Sequence, residues 1–277
     1  MISNIGTEDI KAINFVGVGI QVATYQDLID RVDTWRMDKD GRSHQVSCIN
    51  AYCLAGSIED GALRRIYNSA DIAGPDGMPF VYWMRWVESV KCDRFYAPDV
   101  LECLLEEAQT KNYSFYFYGA ESNVLETMIE RLKARYPFLN IVGYYSPPFR
   151  ELTSLEDQKI CDEINEKKPD ILCVGLGTPK QDYWINSHIY KIRGTVMISC
   201  GATFDFWGGR IRIAPKWIQQ SGFEWLYRLV SPDFKRLWRR YTIMHSKFLY
   251  NFAMQKMGIR WQEFERHPRI NTTDESA

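Results

Sequence analysis

The chain alternates short apolar runs with longer segments in which apolar residues recur at helical spacing. The pattern predicts strands over Ser114–Tyr118, Leu139–Tyr145, Ile171–Val174 and Thr195–Cys200, with helices over Asp99–Ala108, Val124–Leu132 and Leu155–Lys167. Strands that alternate with helices of 10–15 residues indicate a mainly parallel, Rossmann-like α/β sheet with flanking helices. Such sheets bind their ligands beyond the carboxyl ends of the strands.

The first hundred residues are less regular. They predict strands over Ile13–Val18 and Val46–Ile49, and helices over Thr24–Met37, Cys53–Asn68 and Met78–Val87. Asp99 and Glu102 have the spacing of a capping box, which predicts that Asp99 begins its helix.

The last part of the chain has a different pattern. From Ala214 to Trp261 no segment has strand character. Apolar residues recur at helical spacing instead, at Phe234, Leu237, Trp238, Tyr241, Met244, Phe248 and Phe252. We therefore predict an α/β catalytic core over residues 1–210, a basic, aromatic helical appendage over 211–264 and a disordered tail over 265–277.

Charge is unevenly distributed between these parts. Between Arg210 and Arg260 there are eleven Lys or Arg residues against two acidic ones, Glu224 and Asp233, which gives this segment a charge of +9. The whole chain carries −1, so the remainder carries −10. A basic segment that contains an aromatic stripe is compatible with an ordinary helical layer, an anionic membrane surface or nucleic acid.

Cysteine usage and hydropathy favour a cytoplasmic protein. The seven cysteines are scattered and include no C-x-x-C pair, which indicates reduced thiols. The sequence shows no signal peptide and no apolar run of the ~20 residues needed to span a bilayer.

Motifs for metal binding and for several common enzyme classes are missing from the sequence. The four histidines have no ligand spacing, and Asp38-Lys39-Asp40 precedes the strand that a metal-binding D-x-D would have to follow. The sequence contains neither a P-loop nor a G-x-S-x-G elbow. We therefore expect no metal and no cofactor.

Polar residues follow four predicted strands or turns, where an α/β protein places its site. They are Asn50, Asp76 in the turn Gly74-Pro75-Asp76-Gly77, the segment Leu176–Gln181, and Thr203–Asp205. Asp76 could project into a cleft, or it could cap the next helix. The glycine turn Leu176–Gln181 precedes a helix, so its backbone N–H groups and Lys180 could hold a phosphate, or it could be a tight turn only. Pro179 argues against a dinucleotide fingerprint.

Several ordered motifs carry a family resemblance. They are A-D-I-A-G-P-D-G-M (Ala70–Met78), G-L-G-T-P-K-Q (Gly175–Gln181), G-A-T-F-D-F-W-G-G (Gly201–Gly209), R-I-A-P-K-W (Arg212–Trp217) and G-F-E-W-L-Y-R-L (Gly222–Leu229). Between Ile13 and Tyr241 the chain resembles the WecG/TagA/CpsF glycosyltransferases. The resemblance implies transfer of a sugar from a UDP-sugar to a polyprenyl-diphosphate-linked saccharide in bacterial exopolysaccharide or cell-surface polymer assembly, on the inner face of the plasma membrane.

The resemblance also assigns roles to residues. Asp76 would be the catalytic base, with Asn50 in the same pocket, Arg94 near the diphosphate or the acceptor, and Gln181 on donor or acceptor. The predicted substrate site is completed by Gly177, Lys180, Thr203 and Asp205, and the lipid diphosphate and membrane would be contacted by Arg228, Arg236, Arg239 and Arg240. Cys48, Asp182 and Ser231-Pro232-Asp233 depart from the residues usual in the family.

Two alternatives belong to other classes. A nucleic-acid-binding protein could use the basic segment, and its binding would depend strongly on salt. A soluble enzyme that modifies nucleotide sugars would carry bound NAD. Within the transferase prediction, the donor could be UDP-N-acetylmannosamine, its uronic acid or UDP-glucose.

Overall fold

The computed structural model describes residues 10–39, 41–229, 237–238, 240–259, 263–264 and 266. Its strands are β1 (Ala12–Phe15), β2 (Val18–Gln21), β3 (His44–Ile49), β4 (Ile72–Pro75), β5 (Ser114–Gly119), β6 (Asn140–Tyr145), β7 (Ile171–Gly175) and β8 (Val196–Ser199). The last six form one sheet in the order β4-β3-β8-β7-β5-β6. All neighbouring strands in it are parallel, which confirms the predicted Rossmann-like α/β fold.

Helices connect the strands of this sheet. They are α1 (Tyr25–Trp35), α2 (Ala51–Glu59), α3 (Gly61–Asn68), α4 (Met78–Trp86), α5 (Ala97–Lys111), α6 (Ser122–Arg135), α7 (Ser154–Lys167), α8 (Lys180–His188), α9 (Thr203–Trp207), α10 (Lys216–Ser221) and α11 (Glu224–Leu229). A π-helix, Arg240–Met244, leads into α12 (His245–Lys256).

The sheet is covered on both faces. In β5, Phe115 and Phe117 belong to one apolar cluster, whereas Tyr116 and Tyr118 belong to another on the opposite face. All four side chains are buried. This is why β5 appears in the sequence as a continuous apolar run and not as an alternation of apolar and polar residues.

The predicted strand Ile13–Val18 is wrong, because the segment is a hairpin. Val16 and Gly17 form its two-residue turn with φ angles of 49° and 88°, and β1 pairs with β2 in antiparallel fashion. Two positive φ angles are typical of the tight turns that join hairpin strands. The sequence did not reveal this turn, because a β-branched residue such as Val16 rarely adopts positive φ.

Two other predicted boundaries are also wrong. The predicted helix Cys53–Asn68 is two helices, because Asp60 is extended and its side chain accepts from the N–H groups of Ala62 and Leu63 to cap α3. Helix α5 begins at Ala97, two residues before the predicted capping box. Asp99 lies within its first turn and pairs with Lys216. Strand β4, of four residues, and helix α9, of five, were not predicted.

Part of the basic C-terminal segment packs on the core. Phe248 of α12 meets Phe80 edge to face at 5.3 Å, and Phe252 stacks on Phe15 at 5.2 Å. The Phe234 position of the predicted stripe, and all of residues 265–277 except Arg266, lie outside the described residues. Among the described helices, none is long and apolar enough to cross a membrane. The division into core and appendage stays a prediction.

Candidate active site

The pairing of β3 with β4 places Asn50 beside Asp76. Ile49 pairs with Pro75 at the carboxyl ends of these strands, and the Asp76 N–H donates to the Ile49 carbonyl at 2.7 Å, extending the ladder by one bond. The side-chain Nδ2 of Asn50 lies 3.3 Å from Asp76 Oδ2, to which it donates. The expected meeting of these two residues at one sheet edge is therefore present.

Asn50 also begins the next helix. Its Oδ1 accepts from the backbone N–H groups of Tyr52 and Cys53, at 3.1 and 3.2 Å. An N-cap side chain satisfies donors that have no partner inside the helix. One amide group thus fixes the start of α2 with its oxygen and contacts the Asp76 carboxylate with its nitrogen.

Arg94 reaches Asp76 from the segment between α4 and α5. The next residue, Phe95, donates its N–H to the Pro75 carbonyl at 2.8 Å, which fixes this segment alongside β4. A Cβ atom at Gly74 would lie 2.2 Å from the Phe95 ring, so the close approach requires glycine. The Arg94 Nη2 atom lies 3.6 Å from Asp76 Oδ1.

Glu224 is a third charged member of this cluster, and it was not among the predicted site residues. Its Oε2 atom lies 2.6 Å from Arg94 Nη2. The Arg94 Nη1 atom donates to the Gln219 carbonyl at 3.3 Å, and its guanidinium lies 4.2 Å from the centre of the Tyr96 ring. A signal was available in the sequence, because Glu224 is one of only two acids in the basic segment.

Burial makes Asp76 an unusual carboxyl group. It raises the pKa of Asp76 from 3.8 to about 6, although the positive charge of Arg94 opposes the shift. The negative charge of Glu224 raises this pKa further, while the Asn50 hydrogen bond and the Arg228 charge lower it. Asp76 therefore exchanges its proton close to neutral pH, where a general base works best.

The turn after β7 is closed by Gln181. Its Oε1 atom accepts from the Gly177 N–H at 3.1 Å and from the Gly201 N–H at 2.9 Å. The Gln181 side chain is buried and joins the ends of β7 and β8. The Gly177 N–H thus points at Gln181 in this structure, in contrast to the anion-facing orientation expected from the sequence. Lys180 is exposed, with its Nζ atom 5.4 Å from the centre of the Phe149 ring.

Thr203 and Asp205 make local contacts after β8. The Thr203 hydroxyl is buried and donates to the Cys200 carbonyl at 2.5 Å, at the start of α9. Asp205 binds Arg210 through both carboxylate oxygens, at 3.0 and 3.1 Å. Both residues lie at the predicted edge of the sheet.

The predicted lipid-binding arginines are described only in part. Arg228 of α11 lies 5.4 Å from the centre of the Phe206 ring, and its charge acts on Asp76. Arg236 and Arg239, and the side chain of Arg240, lie outside the described residues.

A sequence comparison identifies the family. The model of the "Glycosyl transferase WecG/TagA/CpsF family" matches residues 13–262. The chain belongs to this family. It is therefore a glycosyltransferase, and the predicted resemblance is confirmed.

Three relatives of this transferase have the same name, N-acetylglucosaminyldiphosphoundecaprenol N-acetyl-beta-D-mannosaminyltransferase. The Bacillus spizizenii protein is 29% identical over 66% of this chain and 69% of its own length. The Bacillus subtilis protein is 27% identical over 70% and 73%. A Staphylococcus aureus protein is 24% identical over 90% and 94%.

Two cavities in the transferase lie next to the charged cluster of Asp76, Arg94 and Glu224. One, of about 230 Å³, is lined by Tyr25, Arg85, Arg94, Asp99, Lys216 and Gln219, among others. The other, of about 240 Å³, shares Asp99, Lys216 and Gln219 with it and is also lined by Phe206 and Arg135. Arg94 contacts Asp76 and lines the first cavity, so it connects this cavity to the candidate base.

A second buried carboxyl group of the transferase lies on α8. Asp182 is buried, and its Oδ2 atom accepts from the Tyr67 hydroxyl at 3.3 Å. Burial raises the pKa of Asp182 to about 7, although the Tyr67 hydrogen bond opposes the shift. Cys48 of β3 is also buried, and burial raises the pKa of its thiol.

One group of possible metal ligands exists in the described part of the transferase. Asp157, Cys161 and His188 have ligand atoms within 4.8 Å of one another, which the spacing of the histidines did not predict. His188 Nε2 lies 2.7 Å from Asp157 Oδ1, and Lys191 Nζ lies 2.7 Å from Asp157 Oδ2. Asp157 is thus already engaged by two partners, and these contacts tie α7 to the C-terminal end of α8.

Proposed function

We propose that this chain transfers a sugar from a UDP-sugar to a polyprenyl-diphosphate-linked saccharide, with inversion and without a metal ion. The observation that carries the proposal is the buried Asp76 carboxyl group, whose raised pKa lies near neutral beside Arg94. The relatives' names support it, because they specify an N-acetylglucosaminyldiphosphoundecaprenol acceptor and a β-linked product. The biological role would be bacterial surface-polymer or exopolysaccharide synthesis.

The proposed reaction is a single displacement. Asp76 accepts the proton of the acceptor hydroxyl, and the acceptor oxygen forms a bond to the anomeric carbon. The bond from this carbon to the β-phosphate oxygen breaks on the opposite face, and UDP leaves with the electron pair. Attack opposite the leaving group turns an α-linked donor into a β-linked product. Asn50 would orient Asp76, since its Nδ2 atom already donates to the carboxylate.

Cationic side chains would stabilise the departing diphosphate. Arg94 and Arg228 both act on Asp76 electrostatically and so lie close to the proposed reaction centre. Fixed positive charges that face the leaving group lower the barrier without reorganising during the reaction. Lys180 would contribute from the start of α8. Gly177, Gln181, Thr203 and Asp205 would shape the neighbouring edge of the site, where Gln181 holds the turns after β7 and β8 together.

A lipid-linked acceptor would bring this reaction to a membrane surface. The +9 segment between Arg210 and Arg260 would hold the protein at anionic headgroups on the inner face of the plasma membrane. Exposed aromatic side chains in that segment, Trp217, Phe223 and Trp238, suit an interfacial contact. Sedimentation with anionic vesicles but not with neutral ones is expected. Salt-dependent binding to RNA or DNA without vesicle binding would favour the nucleic-acid alternative instead.

A transfer assay tests the proposal directly. Purified protein is incubated with a polyprenyl-diphosphate-linked N-acetylglucosamine and, in turn, with UDP-N-acetylmannosamine, its uronic acid and UDP-glucose. One donor should give a β-linked product, at a rate that EDTA leaves nearly unchanged. Asp76→Asn should reduce turnover by a factor of at least ~10². Full turnover by the variant would remove Asp76 from the role, and strong inhibition by EDTA would refute the metal-free mechanism.

A further inference from the structure

We propose that Glu224 is a positioning residue that holds the Arg94 guanidinium back from the Asp76 carboxylate and so keeps Asp76 able to accept a proton. This inference rests on the proposed role of Asp76 as the base. Glu224 would act through Arg94 and through its own charge, without touching the sugar.

The distances show which carboxylate Arg94 prefers. A single nitrogen, Nη2, lies 2.6 Å from Glu224 and 3.6 Å from Asp76. The guanidinium fork can grip one carboxylate through two parallel hydrogen bonds, which is its strongest arrangement. Here the other terminal nitrogen, Nη1, donates to the Gln219 carbonyl. Arg94 therefore makes only a loose pair with Asp76.

The segment that supplies Glu224 contacts Arg94 through two hydrogen-bond acceptors. Helix α10 ends at Ser221, and the next residue, Gly222, reverses the chain with a φ of 83°, so that α11 begins at Glu224. Gln219 of α10 and Glu224 of α11 thus present two acceptors to the same guanidinium. The Tyr82 hydroxyl donates to the Gln220 carbonyl and ties this segment to α4, the helix that follows Asp76.

Burial makes this competition effective. The side chains of Asp76, Arg94 and Glu224 are only 15%, 14% and 10% exposed. Charges a few ångströms apart at such depth interact far more strongly than at the surface. A change in the charge of one carboxylate will therefore change the pKa of the other through the shared arginine.

The groups that face Asp76 come from several elements. Asn50 at the end of β3, Arg94, and Arg228 of α11 stabilise its ionised form, while Glu224 opposes ionisation. Cys48 of β3 and Tyr96 also lie within electrostatic range. Removing the charge of Glu224 ends its repulsion of Asp76, and it also frees Arg94 to pair more closely with Asp76. Both effects lower the pKa of Asp76.

Glu224→Gln is the decisive variant, because glutamine keeps the shape and one acceptor oxygen but loses the charge. The Asp76 carboxyl pKa, followed by ¹³C NMR of aspartate-labelled protein and assigned with Asp76→Asn, should fall by about one unit. In a plot of kcat/KM against pH, the acidic limb should move to lower pH by the same amount. The plateau kcat should fall about three- to tenfold, because a weaker base accepts the proton less readily.

A matched control separates this effect from a general loss of charge. Glu107→Gln removes a carboxylate that pairs with Lys111 on α5 and should leave both measurements unchanged. Glu224→Asp keeps the charge but withdraws it from Arg94 by one methylene group. It should shift the Asp76 carboxyl pKa in the same direction by less, and it serves as the test if Glu224→Gln does not fold.

The outcomes are distinguishable. An unchanged or raised Asp76 pKa in a folded Glu224 variant overturns the inference. A lower kcat with an unmoved acidic limb and an unmoved carboxyl titration shows a merely structural role and also overturns it. If the carboxyl titration moves but the rate profile does not follow, Glu224 tunes Asp76 as inferred, and the proposed role of Asp76 as the base fails instead.

Discussion

Asn50 donates its side-chain N–H to the Asp76 carboxylate at 3.3 Å while its oxygen caps helix α2. The capping oxygen and the donating nitrogen belong to one planar amide, so fixing the helix start also fixes the donor. Asparagine suits this position because it combines an acceptor with a donor. Its two roles can be separated by substitution.

The first prediction contrasts Asn50→Asp with Asn50→Ala. Aspartate keeps the helix cap but removes the donor and places a second negative charge beside Asp76. The two carboxylates should then titrate as a coupled pair, and the acidic limb of the rate profile should move to higher pH. Asn50→Ala should lower the free energy of unfolding by about 1 kcal/mol through loss of the cap. Rate profiles and urea denaturation measure the two effects, and a limb that moves to lower pH in Asn50→Asp would contradict the assignment.

The second prediction concerns the stability of Asp76→Asn. Because the folded-state pKa of Asp76 is raised to about 6 from 3.8, the folded protein binds this proton more tightly than the unfolded chain. The stability that Asp76 confers is therefore full below pH 4 and is lost as pH rises towards 6. Asparagine does not ionise, so the variant should be more stable than wild type by about 2–3 kcal/mol above pH 6.

Urea denaturation at pH 5 and pH 8 measures this difference. The gain should be larger at pH 8, together with the loss of turnover expected for a base. Equal stability of the two proteins at pH 8 would show that burial does not disfavour the Asp76 carboxylate.

The third prediction tests Gln181 as the link between β7 and β8. Gln181→Leu leaves the N–H groups of Gly177 and Gly201 without their acceptor, which should cost about 1–3 kcal/mol. Gln181→Glu keeps an acceptor oxygen at the same reach and should cost less. Thermal denaturation measures the order of the two variants. A leucine variant as stable as wild type would mean that the two N–H groups find other acceptors.

The fourth prediction concerns the contact between Gly74 and Phe95. A methyl group at position 74 would overlap the Phe95 ring, so Gly74→Ala should destabilise the protein by about 1–3 kcal/mol and reduce turnover by displacing Arg94. Gly61→Ala is the matched control, since its new Cβ would meet its nearest neighbour at 3.8 Å. It lies in the first turn of α3 and should leave stability unchanged or slightly raised. Denaturation midpoints and transfer rates compare the two.

Much of the fold could be predicted because local rules govern it. The later strands and helices have the correct order and nearly correct bounds, since each has a clear apolar period. The first part was harder. The hairpin turn at Val16-Gly17 uses a residue that rarely adopts positive φ, and Asp60 divides a helix whose apolar period continues across it.

The sequence by itself determined the parallel α/β class, from the alternation of strands and helices, and the family, from ordered motifs. It also placed Asn50 after a strand and Asp76 in a glycine turn, because apolar periodicity and turn residues are local features. Only the tertiary structure decided which charges meet. Arg94 and Glu224 are 130 positions apart, yet they share a hydrogen bond, and Gln181 joins the backbone N–H groups of two separate turns. Such pairings depend on how the elements pack, and burial then sets the pKa values on which the chemistry depends.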